Sequence, residues 1–209
     1  MRLSDDASGN ALGDHPDMRR VPGIDFSSGS LGHGLSVATG MAVSARLRGY
    51  ADTRVWVLLG DQELNEGQIW EAAQTANHYG LGNLYAIVDR NEMGLDGHTE
   101  EVLTVEPIGE RFRAFGWEVR EVNGHDPTAL LSCLLNLPDP GSGRPHLVVA
   151  HTVKGKGVEY MEMSRVRSPS FRPRDGPSGD HGDASTVESA WFRLNGALPG
   201  ALVALRNGS

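Results

Sequence analysis

Residues Gly60–Gly97 have the sequence GDQELNEGQIWEAAQTANHYGLGNLYAIVDRNEMGLDG and form the most informative part of the chain. An apolar run, Val55–Leu59, ends in Gly-Asp, and a second apolar run, Leu84–Val88, ends in Asp-Arg-Asn. A helical pattern lies between the two runs, which is the order of a β-α-β unit. Because the carboxyl ends of parallel strands meet at one edge of a sheet, we expect Asp61 and Asn91 to lie close together there.

These two side chains carry the oxygen atoms that a hard cation prefers. Magnesium takes octahedral oxygen ligands at about 2.1 Å, usually one or two from side chains and the rest from phosphate, carbonyl and water. A cation bridging protein and diphosphate would therefore suit Asp61 and Asn91. Each residue alone also has an ordinary structural role, Asp61 as a helix N-cap and Asn91 as a turn residue.

The rest of the chain alternates strands and helices. Further strands are predicted at Trp117–Val122 and His146–Ala150, and helices at Gly32–Tyr50, Gln68–Tyr79, Pro107–Phe115 and Asp126–Leu137. This order predicts an α/β fold, a parallel β-sheet covered by helices on both faces.

The bulk composition excludes several classes of protein. At 209 residues the chain has room for one sizeable α/β domain and is short for two. A net charge of −8, with no block of Lys or Arg, argues against a nucleic-acid partner. The single cysteine, Cys133, excludes an intramolecular disulfide. No apolar run has membrane-spanning length and no signal-peptide core follows Met1, so we expect a cytoplasmic protein without a membrane partner.

Four ordered motifs resemble those of the transketolase family of thiamine diphosphate enzymes. GDQELNEGQIWEAA (60–73) is similar to the family's Gly-Asp-Gly-x-x-x-Glu-Gly-x-x-x-Glu-Ala pattern, and DRNEMGLDGHTEEV (89–102) to its Asp-x-Asn-x-x-x-x-Asp-Gly segment. Upstream, HPDMRRVPGIDFSSGSLGHGLSVATGMA (15–42) resembles the run that contains Thr-Gly-Ser-Leu-Gly-Gln-Gly. Downstream, AHTVKGKGVEYME (150–162) resembles the Lys-Gly-Lys-Gly-Val segment. Several motifs in family order are far more specific than one glycine loop.

The resemblance implies that thiamine diphosphate and Mg²⁺ bind at the predicted sheet edge. The metal ligands would be the side chains of Asp61 and Asn91 and the carbonyl of Met93. The cofactor contacts would be Gly29, Ser30, Leu31, Gly60, Asp61, Gln62, Glu66 and Asn91. Gln62 departs from the family, where glycine lets the backbone approach the diphosphate, and a glycine-like conformation would be costly for glutamine.

The implied catalytic residues are His15, Glu66 and His181. Glu66 would join a proton network with a glutamate of the partner subunit, although an acid at a helix N-terminus is also stabilised there without any catalytic role. His15 and His181 would contact the substrate, whereas an isolated loop histidine is ordinarily solvent-exposed. Lys154 and Lys156 are weaker candidates for an anion contact.

The resemblance covers Asp14–Glu162, the predicted thiamine diphosphate-binding domain of the PP type. Residues 1–13 are expected to be a flexible N-terminus, and 163–209 a divergent loop with a helix over Val187–Leu205. The family's pyrimidine-binding domain, which supplies the glutamate that triggers catalysis, has no counterpart in this sequence. We therefore expect a split enzyme, an α2β2 heterotetramer whose second transketolase subunit carries the pyrimidine-binding and C-terminal domains.

The implied reaction is transfer of a two-carbon ketol unit from a ketose or ketose phosphate to an acceptor. Two alternatives remain open: a thiamine diphosphate-dependent 2-oxo acid decarboxylase or dehydrogenase E1-like subunit, and a catalytically silent complex partner. The helix after Gly32 is expected to contact the partner. A second expected contact is the helix Gln68–Tyr79, through Ile69, Trp70, Ala72, Ala73 and Ala76.

Overall fold

A five-stranded sheet, parallel except for its C-terminal edge strand, forms the centre of the described fold. The computed structural model describes residues 16–94, 96–158 and 162, together with the backbone of 202–207. Five strands lie in the order β3-β4-β2-β1-β5. The strands are β1 (Thr53–Gly60), β2 (Leu84–Arg90), β3 (Glu118–Asn123), β4 (His146–His151) and β5 (Leu202–Asn207). The first four are mutually parallel, which confirms the predicted fold class.

The predicted helices occur in the predicted order; three are shorter than predicted, and the second begins and ends one residue earlier. They are α1 (His33–Leu47), α2 (Gly67–His78), α3 (Thr99–Val102), α4 (Ile108–Ala114) and α5 (Pro127–Leu135). Two short 3₁₀ helices, Gln62–Asn65 and Pro140–Ser142, were not predicted, and neither was α3. Such short turns lack the apolar periodicity that reveals longer helices in a sequence.

Alternate residues of each strand supply the two faces of the sheet. Val55, Val57 and Leu59 of β1 join the main core, to which α1, α2 and α4 contribute their apolar sides. On the opposite face a smaller apolar cluster includes Trp56 and Tyr85, which stack with ring centroids 4.7 Å apart. Leu134 in α5 and Leu137 just after it pack onto this cluster. Helices therefore pack on both faces, as parallel sheets require. Within the described residues, no helix has the length and apolar character needed to cross a bilayer.

The C-terminal strand corrects one prediction. The sequence predicted a helix over Val187–Leu205, but Leu202–Asn207 forms β5 and pairs antiparallel with β1. Without β5, the backbone groups along that side of β1 would lack strand partners. The earlier part of the predicted helix, the 163–201 loop and the N-terminus 1–13 lie outside the described residues, and the domain limits stay a prediction.

The structure also corrects the expected role of α2 at a subunit interface. Ile69, Ala72, Ala73 and Ala76 are buried in the chain's own core, and Trp70 packs against Phe112 and Phe115. These apolar side chains are already used inside the chain, because α2 packs against α1 and its Trp70 contacts Phe112 of α4. The outward side of α2 is polar.

Helix α5 offers a test of the local structure. Asp126 caps it, because its Oδ1 accepts hydrogen bonds from the Thr128 and Ala129 N–H groups at 2.9 and 3.0 Å. We expect Asp126→Ala to lower the free energy of unfolding by about 1 kcal/mol, the usual value of such a cap. Urea unfolding followed by circular dichroism measures this, with exposed Asp52→Ala as the control. Equal stability of the two variants would contradict the capping role.

Candidate functional site

The site lies where β1 and β2 end side by side. Their register pairs Gly60 with Asp89, and the Asp61 N–H donates to the Asp89 carbonyl at 3.2 Å. Because the two strands are parallel, the residues that follow them emerge at the same edge of the sheet. This brings Asp61 beside the Asp89–Asn91 segment, as the sequence predicted.

The Asp61 carboxylate is buried and held through one oxygen. Its Oδ2 accepts a hydrogen bond from Arg90 Nη1 at 2.9 Å and another from the Glu92 N–H at 2.7 Å. Glu92 has φ 65°, the one positive φ among the described non-glycine residues. A left-handed backbone costs a side-chain-bearing residue about 1 kcal/mol or more, and such strain is common near functional sites.

The Asn91 amide is fixed from both ends. Its Nδ2 donates to Asp89 Oδ2 at 2.8 Å, and its Oδ1 accepts from the Met93 N–H at 3.0 Å. The other Asp89 oxygen accepts a short hydrogen bond from the Thr152 hydroxyl. Burial raises the pKa of Asp89, against the opposing effects of the Thr152 and Asn91 hydrogen bonds. Asn91 and Met93 therefore lie in one tight turn next to Asp61.

This arrangement fits a magnesium ion that is shared with a diphosphate. Asp61 Oδ1 accepts no hydrogen bond from the described part of the chain, so it is available to a cation, and Asn91 Oδ1 has a second lone pair. The described residues contain no cluster of three or more His, Cys, Asp or Glu side chains that could hold a metal alone. A site of one carboxylate with amide and carbonyl oxygens matches the preference of Mg²⁺, which completes its shell with phosphate and water.

The glycine-flanked loop Gly29–Gly32 lies against the start of α2. Gly32 has φ 81°, and a Cβ placed there would lie 2.7 Å from the Glu66 Cβ, so both conformation and space require glycine. Gln68 Nε2 donates to the Leu31 carbonyl at 3.2 Å. Gly29, Ser30 and Leu31 are exposed beside the N-terminus of α1, where free N–H groups favour an anion.

Glu63 connects this loop to the strand end. Its Oε1 accepts from the Gly32 N–H at 2.7 Å, and its Oε2 accepts from the Gly60 N–H at 3.2 Å. Burial raises the pKa of Glu63 and outweighs the opposing effect of these two N–H donors. One buried carboxylate thus holds the glycine loop and the Gly60-Asp61 turn in fixed relative positions.

Gln62 occupies its unusual position without backbone strain. It begins the 3₁₀ helix Gln62–Asn65 and has no positive φ, so the glycine-like conformation that made glutamine a concern is not used. Its side chain lies over Gly94, where an added Cβ would be only 1.6 Å from Gln62 Oε1. The glutamine side chain therefore fills the space that Gly94 leaves open.

The other predicted site residues are distributed unevenly. Glu66 is exposed at the N-cap of α2, next to the glycine loop. The positive charge of Lys154 is close enough to Asp89 to oppose the rise in the Asp89 pKa. Lys156 instead forms an ion pair with Glu162 at 3.5 Å. His15 and His181 lie outside the described residues.

Sequence reasoning missed four residues that shape this site: Glu63, Asp89, Arg90 and Thr152. All four stand inside the quoted motifs, but no role was assigned to them there. A charged residue at the end of a strand, such as Arg90, is a usable signal, because such a charge at a sheet edge needs a partner. The contact of Thr152 with Asp89 had no local signal, because the two residues are 63 positions apart.

Comparison with known proteins adds family relationships. The family model for the transketolase thiamine diphosphate binding domain matches residues 6–167. The chain is 47% identical over 154 residues to an apulose-4-phosphate transketolase subunit of Phocaeicola vulgatus, covering 74% of this chain and 54% of that protein. It is 40% identical to a 6-deoxy-6-sulfo-D-fructose transketolase subunit of a Clostridium species, covering 74% and 55%. The chain thus spans about half the length of these relatives.

Solved structures agree with this relationship. The crystal structure of transketolase from Campylobacter jejuni superposes with a TM-score of 0.65 at 30% identity, covering 72% of this chain and 24% of that one. Transketolase from Leishmania mexicana gives a TM-score of 0.64 at 29% identity, covering 75% and 26%.

The buried Glu63 carboxylate generates a prediction about pH. A carboxyl whose pKa is raised on folding binds its proton more tightly in the folded chain, so stability falls as pH rises above the ordinary value of 4.5. We expect Glu63→Gln to reduce this fall, because the amide carries no charge. Urea unfolding from pH 4.5 to 7.5 measures it, with exposed Glu71→Gln as the matched control. An unchanged pH dependence in Glu63→Gln would contradict the prediction.

Proposed function

Because this chain belongs to the transketolase family, through its thiamine diphosphate-binding domain, we propose that it is the diphosphate-binding subunit of a two-subunit transketolase. The enzyme transfers a two-carbon ketol unit from a ketose to an acceptor. The observation that carries the proposal is the strand-end site, where Asp61 and Asn91 meet beside the glycine loop. The naming of relatives as transketolase subunits supports the division into two chains.

In this proposal Asp61 Oδ1, Asn91 Oδ1 and the Met93 carbonyl would hold Mg²⁺, which would supply positive charge to offset the charge of the cofactor diphosphate. The backbone N–H groups of Gly29, Ser30, Leu31 and Gln62 would add hydrogen bonds to the anion, whereas the Gly32 N–H already donates to Glu63. When bound, thiamine diphosphate supplies a nucleophilic thiazolium carbon and an electron sink for the two-carbon fragment. This chain's own contribution is to bind and orient the cofactor.

Glu66 has a different proposed role, at the boundary with the second subunit. Its exposed carboxylate lies at the N-cap of α2 next to the glycine loop, where a partner could cover it. There it would share a proton with a carboxylate of the pyrimidine-binding domain. Desolvation by the partner would favour such sharing, because two adjacent carboxylates cannot both stay ionised cheaply.

The substrate is proposed to be a ketose with an anionic group at its far end. The two relatives are named for apulose 4-phosphate and 6-deoxy-6-sulfofructose, one a phosphate and the other a sulfonate. His15 lies within the residues that match the family, whereas His181 lies beyond them. We therefore propose His15 as the substrate contact with the stronger support, and His181 as a second contact.

The partner is proposed to cover the outward face of α1. Gly40 is exposed in the middle of this helix, and a Cβ there would have no atom within 4 Å. Glycine costs a helix about 1 kcal/mol relative to alanine, and no contact within the described residues explains it. A helix of another chain that crosses closely at Gly40 would explain it. An α2β2 assembly with twofold symmetry is the proposed arrangement.

The function is tested by reconstitution with a transketolase subunit that carries the pyrimidine-binding domain. We expect the chain alone to show no ketol transfer, and the mixed complex to bind thiamine diphosphate and use ketose phosphates but not pyruvate. In the complex, Asp61→Asn should weaken the binding of thiamine diphosphate, measured by calorimetry, by at least about 100-fold, since changes at metal sites have effects of this order. Turnover by the chain alone, turnover of pyruvate, or unchanged binding by Asp61→Asn would contradict the proposal.

Gly40 gives an independent test of the partner surface. We expect Gly40→Leu to leave the isolated chain folded, because nothing lies within 4 Å of the added Cβ, but to prevent assembly with the partner. Ser132→Leu on the exposed side of α5 is the matched control and should assemble normally. Light scattering of the mixed subunits measures both. Normal assembly of Gly40→Leu would contradict this surface.

A further inference from the structure

Arg90 is a buried cation that contacts the proposed metal ligand directly. Its side chain is 4% exposed and that of Asp61 is 2% exposed. Three different guanidinium nitrogens reach three carboxylates: Nη1 contacts Asp61 at 2.9 Å, Nε contacts Glu106 at 2.7 Å, and Nη2 approaches Glu100 at 3.7 Å. We propose that Arg90 is a positioning residue for the metal site, which turns Asp61 so that a single oxygen faces the cation. The inference rests on the proposed function and deepens it.

The direction of the hydrogen bonds supports this role. Arg90 Nη1 and the Glu92 N–H both donate to Asp61 Oδ2. Two donors on one oxygen fix the carboxylate plane and leave Oδ1 as the free ligand atom. A carboxylate that binds a metal through one oxygen is commonly held through the other, and such supporting contacts typically change metal affinity by 10- to 100-fold.

The local charge is compatible with a cation next to the guanidinium. Asp61, Glu100 and Glu106 surround Arg90, so three carboxylates face one positive charge. Asp89 interacts electrostatically with Asp61 and adds a fourth carboxyl group. Arg90 therefore offsets only part of the acidic charge, and the edge of the sheet retains negative charge for Mg²⁺.

Arg90 also ties a second segment to the site. Glu100 Oε1 accepts from the Val105 and Glu106 N–H groups at 3.1 and 3.3 Å, and Glu106 Oε2 accepts from the Ile108 N–H at 2.8 Å. The two acids that hold the far side of Arg90 are thus themselves fixed in the turn before α4. The rigid, planar guanidinium can bridge these acids to Asp61, whereas the single ammonium of lysine cannot.

The experiment measures Mn²⁺ binding by electron paramagnetic resonance, in the complete complex with thiamine diphosphate, as a readout separate from activity. Arg90→Gln should weaken Mn²⁺ binding by about 10- to 100-fold. The Mn²⁺ affinity of Arg90→Lys should lie between that of Arg90→Gln and that of the unchanged protein, because lysine keeps the positive charge but lacks the planar guanidinium donors. Glu106→Gln should change Mn²⁺ binding by less than about threefold, because the amide oxygen can still accept from Arg90 Nε and the Asp61 contact stays in place.

The outcomes separate this inference from the proposed function. If Asp61→Asn abolishes Mn²⁺ binding while a folded Arg90→Gln or Arg90→Lys binds it normally, the role of Arg90 is wrong and the metal site stands. An equal loss of Mn²⁺ affinity in Glu106→Gln and Arg90→Gln would also overturn the role of Arg90, since the effect would then come from the turn before α4. If Asp61→Asn binds Mn²⁺ normally, the metal site itself is wrong. Where Arg90→Gln does not fold, Arg90→Lys decides the question.

Discussion

The parallel pairing of β1 with β2 is the constraint on which the rest of the site depends. Because Gly60 lies opposite Asp89, the two chain segments that leave the strands are neighbours before any side chain interacts. The backbone hydrogen bonds of the sheet thus bring the segments of Asp61 and Asn91 together, and side-chain hydrogen bonds then orient the two side chains. A shift of one residue in this register would turn Val55, Val57 and Leu59 away from the core, so the same apolar packing that stabilises the sheet also aligns the site.

Several charged side chains are buried around the ends of β1 and β2. Asp61, Glu63 and Arg90 are all nearly inaccessible to solvent, and Glu92 adds a left-handed backbone conformation. Burying charge is costly unless each group is paired and hydrogen-bonded. Here Asp61 and Glu63 each have two donors, from backbone N–H groups or from Arg90. These contacts fix the relative positions of the glycine loop, the strand ends and the turn before α4, which is the rigidity that binding a diphosphate through a metal ion requires.

The exposed face of α1 is the surface on which a partner chain would fit. Helix α2 uses its apolar residues within the chain's own core, whereas α1 exposes Gly40 in a position without a local reason for glycine. Glu66 stands exposed beside the glycine loop, at the end of the same surface. A partner seated on α1 would reach both the helix and the carboxylate. The two halves of the proposed active site would then meet at the edge that carries Asp61.

From the sequence alone, the four parallel strands, the four longer helices and the proximity of Asp61 to the segment ending in Asn91 were predictable, because apolar runs and strand ends are local features. Gly-Asp and Asp-Arg-Asn at two strand ends were enough to predict that Asp61 lies beside the segment that follows the second strand. Only the tertiary structure decided that Arg90 contacts Asp61, that Glu63 joins Gly32 to Gly60, and that Gln62 fits over Gly94. It also replaced the end of a predicted helix with β5, whose partner β1 is far away in sequence. These contacts join residues that are distant along the chain or lie on neighbouring turns, and side-chain direction in such places follows from packing that no local pattern encodes.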